Sequence, residues 1–255
     1  MSNPKPNGKI ALITGGNRGL GLQTARELGR QEITVVLGVR DPSKAQPAVK
    51  ALQDEGINPE IIRLDVADAS TYREAFEFFE GGHGRLDILV NNAGVWLEDP
   101  PAKVAQPGGN RTSTLPDEIL RKTFETNFFG TVALTQQLLP LLRKSVAGRI
   151  VNVSSIQGSL TLQSDSSSPI YPYKVFAYDT AKAALNSFTI HLAHELKDTP
   201  IKVNSAHPGW VKTDMGGDDA SLEISEGGKT SAWLATLPAD GPTGGFFHMQ
   251  ERVPW

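Results

Sequence analysis

Cysteine is absent from this 255-residue chain, so neither a disulfide framework nor thiolate chemistry is open to it. A basic excess is missing as well. The 25 Lys and Arg are outnumbered by 28 Asp and Glu, a formal net charge of −3 that offers no electrostatic footprint for a nucleic acid. No apolar run reaches the roughly 18 residues that a membrane-spanning helix needs. The opening "MSNPKPNGK" has neither the basic start nor the apolar stretch of a secretory leader, so a cytoplasmic location without membrane contact is expected. The triplet at Asn110 to Thr112 matches a glycosylation acceptor and is read as chance, since nothing points to secretion. His191 and His194 stand beside Glu195, but no third ligand follows at a recognised spacing, so no metal site is expected.

What the chain does have is an alternation of short β-branched runs with longer helical stretches. Lys9 to Thr14, Thr34 to Val39, Glu60 to Val66, Leu86 to Gly94 and Gly148 to Ser155 read as core strands. Ile201 to Gly209 and Gly244 to Met249 read as two more. Near-continuous Val, Ile and Leu means that both faces of each strand are covered, as in a parallel sheet between helices. The expected fold is α/β, a Rossmann-like doubly wound parallel sheet of about seven strands with helices on both faces, forming one domain over residues 1–255. Asp41 before Pro42 is a helix cap, and Asp68 caps a helix that Gly81 and Gly82 should stop. A flexible leading segment is expected over residues 1–8. Residues 96–116 and 156–172 follow strands directly, are rich in Pro, Gly and Ser and lack a sustained period. They are candidate walls of the ligand crevice, with surface insertion as the other reading.

The stretch "ITGGNRGLG" carries the first chemistry. Gly15, Gly19 and Gly21 join a strand to a helix, where free N–H groups and the positive helix end can take a pyrophosphate. About 20 residues on, where an acid would bind the ribose 2′-hydroxyl of NAD, stand Gly38 and Val39, followed by Arg40. Arg18 lies in the glycine loop itself. Two guanidiniums converging on one ribose suit a 2′-phosphate, so NADPH is expected over NADH; otherwise both arginines are solvent-facing charges.

That loop, together with "NNAG" (91–94), "NVSS" (152–155), "YDTAK" (178–182) and "PGWVKTDM" (208–215), resembles the short-chain dehydrogenase/reductase family, in its NADPH-dependent carbonyl reductase branch. The resemblance implies NADPH contacts from Gly15, Asn17, Arg18, Gly19, Leu20 and Gly21, and from Arg40 at the second strand. Asp65 and Val66 would meet the adenine, and Asn92, Ala93 and Gly94 would line the nucleotide wall. Tyr178, Lys182, Pro208, Gly209, Val211 and Thr213 would lie at the nicotinamide end, with residues 209–228 as a lid. Asn127, Ser155, Tyr178 and Lys182 would be catalytic, and Trp96, Ser155, Tyr178 and Trp210 would shape the substrate pocket.

Carbonyl reduction puts negative charge on oxygen as hydride reaches carbon, so a donor must act there at neutral pH. A free phenol, with a pKa near 10, is poorly matched. Tyr178 and Lys182, four apart on one helix face, let an ammonium stabilise the phenolate, while Ser155 donates to the oxygen. The expected activity is NADPH-dependent reduction of a ketone or aldehyde; alcohol oxidation with NAD(P) and a non-catalytic NADP sensor are the alternatives. Ser155 and Tyr178 are 178 − 155 = 23 residues apart. The insertion of carbonyl reductases falls here, shorter than their long form, and leaves monomer or homo-oligomer open. Tyr171, Tyr173 and Phe176 either line an apolar pocket or pack the insertion.

Replacing Arg40 tests the cofactor reading. Arg40→Ala should weaken NADPH by about tenfold or more, with NADH affinity unchanged, in a titration of both cofactors.

Overall fold

The computed structural model describes residues 8–99 and 111–255. Most of the expected leading segment, the centre of the 96–116 loop and Asn110 of the glycosylation triplet lie outside them. Eight strands form one sheet among the described residues: β1 (Ile10–Thr14), β2 (Thr34–Val39), β3 (Glu60–Arg63), β4 (Ile88–Asn91), β5 (Arg149–Val153), β6 (Lys202–Ala206), β7 (Phe246–His248) and β8 (Glu251–Arg252). Their order is β3-β2-β1-β4-β5-β6-β7-β8, parallel from β3 to β7 with β8 antiparallel at the edge. Order reverses between β1 and β4, where an α/β sheet opens a crevice at its carboxyl edge.

Every residue of β1 is buried, as is every residue of β4 and β5, because helices cover both faces. Alternate side chains feed two cores. Leu12, Leu89 and Ile150 pack with Leu134, Leu138 and Phe79 on one face, while Ile13, Val90 and Val151 pack with Ala25 and Leu28 on the other.

Between the strands run α1 (Gly19–Gly29), α2 (Gln46–Asp54), α3 (Ser70–Gly82), α4 (Asp117–Phe124), α5 (Gly130–Leu142), α6 (Leu160–Ser164), α7 (Phe176–Glu195), α8 (Ile224–Gly227) and α9 (Lys229–Ala235). Asp41 caps the 3-10 turn Pro42–Ala45 before α2, whereas Asp68 stands one residue before Ala69, the N-cap of α3, and still bonds its first N–H. Asp41 accepts from the backbone N–H of Ser43 at 3.1 Å, and Asp68 from that of Ser70 at 3.0 Å. Gly81 and Gly82 do not stop α3, which runs through both and ends before Gly84, where φ is +71°.

Two features add detail to the expected doubly wound sheet. An eighth strand follows β7 through a tight turn in which Met249 and Gln250 both have positive φ, +46° and +75°. Such a turn is normally announced by Asn or Gly, and Met-Gln gives no such signal. Residues 156–172 are also not simply a loop: Ile156–Gly158 makes a 3-10 turn and α6 follows, each started by a serine side chain, Ser155 and Ser159. The backbone N–H of Thr161 in α6 donates to the carbonyl of Trp255 at 2.8 Å, tying this insertion to the end of the chain.

Helices α4 and α5 are continuous through a π-turn, Glu125–Phe129. Gly130 leaves that turn against the third strand's continuation, where an added Cβ would lie 1.6 Å from the Val66 carbonyl oxygen. Gly130→Ala should therefore destabilise the fold by about 2 kcal/mol or more, measured as a lowered midpoint in urea.

Candidate active site

The glycine turn is built by contacts that a side chain would break. Gly15 and Gly19 have φ of +64° and +54°. A Cβ on Gly21 would sit 2.4 Å from the Gly15 carbonyl oxygen. The N–H of Gly15 donates to Gly38 at the end of β2 at 2.8 Å. Thr14 holds the neighbouring turn: its hydroxyl oxygen accepts from the N–H groups of Asn92 and Ala93, both at 2.9 Å. The Asn92 amide donates back to the Thr14 carbonyl at 2.8 Å, so this side chain braces the glycine turn. Helix α1 opens after an extended Arg18, and its first N–H groups have no intrahelical acceptor.

Arg40 is exposed at the end of β2, and Asp41 beside it is tied to Ser43. Those bonds hold the Asp41 carboxyl below its ordinary range. Arg18 reaches across the cleft mouth to Asp214 at 2.7 Å, with side chains 73% and 82% exposed. An exposed ion pair binds its members weakly and leaves the guanidinium open to exchange. Asp65 and Val66 follow β3: the Asp65 carboxylate accepts from the N–H of Ala67 at 3.0 Å, and the Val66 carbonyl accepts from the Tyr72 hydroxyl at 2.6 Å.

At the end of β5 the structure brings Ser155, Tyr178 and Lys182 together, with Asn127 close by. Lys182 is 4% exposed, and its ammonium donates to the Val153 carbonyl at 2.7 Å. Gly94 faces it: a Cβ there would come within 3.6 Å of the Lys182 Nζ and 3.3 Å of the Asn127 Oδ1. The π-turn carries Asn127 inward, where its amide pairs with both backbone groups of Val95, N–H to Oδ1 and Nδ2 to carbonyl, at 2.8 Å each. The Ser155 Oγ accepts from the N–H of Gln157 at 3.2 Å, which leaves its proton for donation. Trp96 stacks on the Tyr178 ring at 4.8 Å between centroids.

Burial dominates the titration of this pair. It pushes the Tyr178 phenol up to about 12, against a hydrogen bond with Ser155 that pulls it down. It lowers the Lys182 ammonium to about 8. The Lys182 ammonium lies 5.6 Å from the Tyr178 ring centre and donates to Val153.

Beside Ser155 lies a cavity of about 390 Å³ bounded by Ile156, His207, Trp210, Leu222, His248 and Val253. The His207 Nδ1 accepts from the N–H groups of Ile156 at 3.3 Å and Gly209 at 3.4 Å, so Nε2 carries the proton. Burial and neighbouring His248 lower its pKa to about 3, keeping it neutral. Gly209, with φ of +91°, turns the buried Pro208 into the 209–228 segment. There Val211 pairs with Leu222 and the Trp210 indole donates to Gly216 at 2.8 Å. Thr213 lies over the glycine turn, its methyl 3.9 Å from where a Gly19 Cβ would be. The Leu20 side chain packs against Gly227. Tyr171 and Tyr173 are exposed and lie away from the cavity; Phe176 starts α7, and Asn17 is half-buried in the glycine turn.

Two acids at the start of α7 were missed in the sequence. Glu98 accepts from the N–H groups of Ala177 and Tyr178, and Asp179 from the N–H of Val175 and the amide of Gln163. Neither carries a local signal, since the partners of Glu98 lie 79 and 80 residues away. Burial, with the charge of Glu98, lifts the Asp179 carboxyl from 3.8 to about 7. Between those pH values the folded protein holds a proton that the unfolded chain has lost, so stability from this group falls as pH rises. Asp179→Asn mimics the neutral acid. Its melting temperature should exceed that of the parent at pH 8, and the difference should shrink as pH falls toward 4.

Known proteins share this arrangement of fold and motifs. A family model for short chain dehydrogenases matches residues 9–223. Carbonyl reductase (NADPH) 1 of Homo sapiens is 34% identical over 285 aligned positions, covering 96% of this chain and 98% of the relative. The structure of salutaridine reductase from Papaver somniferum aligns with a TM-score of 0.79 at 30% identity, covering 94% of this chain and 99% of that one. An NADPH-bound carbonyl reductase from chicken fatty liver aligns with a TM-score of 0.82 at 25% identity, covering 99% and 100%. With its motifs in family order on the matching sheet, the chain belongs to the short-chain dehydrogenase family.

Proposed function

We propose that this protein uses NADPH to reduce a ketone or aldehyde to an alcohol, with Tyr178 as the proton donor. One arrangement carries this reading: the Ser155 hydroxyl is brought within interaction reach of the Tyr178 phenol at the end of β5, beside a buried lysine and across from a glycine turn. The relatives named for carbonyl reduction with NADPH support the same chemistry.

The turn fits a dinucleotide. Glycine at positions 15, 19 and 21 keeps the backbone open to close approach, and the start of α1 offers N–H groups to the pyrophosphate. Arg40, and Arg18 after exchange from Asp214, take the 2′-phosphate. The tie between Asp41 and Ser43 keeps a carboxylate from competing for that place. Asp65 and Val66 border the adenine. Asn92, Ala93 and Gly94 back the ribose, while Pro208, Gly209, Val211 and Thr213 close over the nicotinamide. NADPH supplies the hydride.

This chain's residues handle the oxygen. The Ser155 hydroxyl donates to it and holds it beside the Tyr178 phenol, a contact that strengthens as charge develops. Tyr178 gives up its proton, and the Lys182 ammonium, one of whose three donors is used by Val153, stabilises the phenolate that remains. Asn127 fixes the backbone at Val95, next to the Gly94 that faces the lysine. Trp96 and Trp210 flank the substrate. Burial keeps the Tyr178 phenol protonated at neutral pH, so its proton is present when the oxygen needs it, and its release depends on stabilisation of the phenolate by the Lys182 ammonium.

Tyr178→Phe should lower kcat on a responsive carbonyl by about a thousandfold, with NADPH affinity within a few-fold of the parent. NADPH consumption across ketones, aldehydes and enones, with parent and variant side by side, measures this. Near-parental turnover in the folded variant overturns the assignment, and tight NADPH binding with no turnover on any carbonyl favours a sensor.

A further inference from the structure

Helix α7 carries Tyr178 in its first turn, yet it lacks a cap of its own. Its N-cap residue is Val175, which has no side-chain acceptor. The two N–H groups that an N-cap Ser or Asp normally takes belong here to Ala177 and Tyr178. Both donate to one carboxylate from the far side of the cleft, at 3.0 Å to the Glu98 Oε1 and 2.8 Å to its Oε2. Glu98 is 7% exposed. A buried carboxylate is costly unless paired or hydrogen-bonded, and here the positive end of a 20-residue helix supplies both bonds.

The same short segment touches Tyr178 again. Two residues before Glu98, Trp96 lies on the phenol ring at an interplanar angle of 27°. One residue earlier, both backbone groups of Val95 are clamped by Asn127. Residues 95–98 therefore form a bracket that is anchored at one end, lies flat on the ring, and grips the backbone N–H of Tyr178 at the other end.

We propose that Glu98 is a positioning residue for the reaction, holding the first turn of α7 so that the Tyr178 hydroxyl stays aligned with Ser155. It rests on the reading of Tyr178 as the proton donor. The hydroxyl lies at the far end of a long, rigid side chain, so a small slide of the helix start moves it out of line. Misplacement of a reacting group by about 1 Å costs on the order of a hundredfold in rate. Glycine-turn contacts are made elsewhere, by Thr14, Gly38 and Asn92, and do not run through Glu98. Losing Glu98 thus separates the chemical step from cofactor binding.

The experiment compares Glu98→Ala, Glu98→Gln and Tyr178→Phe with the parent enzyme, using one responsive carbonyl and NADPH. Glu98→Ala should lose kcat by about ten- to a hundredfold, with KM and the NADPH Kd within about threefold. Glu98→Gln keeps one acceptor oxygen and turns an NH₂ group toward the other donor, so its kcat should fall between Glu98→Ala and the parent. Should the alanine variant fail to fold, glutamine carries the test. Parental kcat in a folded Glu98 variant overturns the proposal, as does a matching loss of NADPH affinity, which marks general collapse of the site. Parental activity in Tyr178→Phe overturns the reading beneath it instead, so the two failures are distinguishable.

Discussion

The site depends on a charge held out of water. Lys182 is buried in α7, and its ammonium is anchored on the Val153 carbonyl, the last residue of β5. An ammonium has three donors and loses much when desolvated, and the lowering of its pKa to about 8 expresses that cost. The surroundings must therefore approach closely without crowding it. At position 94 a Cβ would crowd Asn127 at 3.3 Å and touch Lys182 at 3.6 Å, and at position 158 a Cβ would lie 2.7 Å from the Lys182 backbone. Glycine at both places lets the NNAG turn and the start of the insertion close around the lysine.

Beneath that lysine the strands are joined by a chain of buried side chains. The Asn91 amide donates to Asn152 at 2.8 Å and to Thr135 at 3.0 Å, and the Asn152 amide donates to Thr189 at 2.8 Å. Thr189 and Ser205 share a further bond at 2.8 Å. These residues fix β4, β5, α7 and β6 in one register, since Asn91 sits opposite Asn152, and Asn152 opposite Ser205. Because buried polar groups tolerate little loss of geometry, the chain restrains where α7 can lie on the sheet. The Tyr178 end of α7, one turn before Lys182 and about three before Thr189, is beyond its reach, which is where the bracket from residues 95–98 acts.

Much of the fold was legible because its signals are local. The seven parallel strands appear where β-branched runs stand; from β3 on their ends retract, as the last residues of those runs leave the ladder to form the turns of the crevice. Asp41 and Asp68 act on groups two residues away, so their chemistry is written in adjacent letters. The edge strand β8 was hidden because its turn uses Met249 and Gln250 in a conformation that their side chains do not advertise. The helical insertion was hidden by its serines, which read as loop composition although two of them start turns.

Within the site the same rule separates what could be read from what could not. Tyr178 and Lys182 share a helix face by period, and the glycines of residues 15–21 act on their own turn. Glu98 gives no period and no neighbour; it becomes meaningful only when the sheet brings the end of β4 beside α7. Its setting also limits the charge it can bring. Asp179 lies at the same helix start; Glu98 is held by two backbone N–H groups, and Asp179 by the N–H of Val175 and the amide of Gln163. Two full negative charges there repel, which is why the charge of Glu98 adds to the burial that raises Asp179. Burial raises both carboxyls, and Asp179 is the one carried to about 7. The helix start thus holds Glu98 on the backbone N–H groups of Ala177 and Tyr178, beside an acid whose charge changes close to neutral pH.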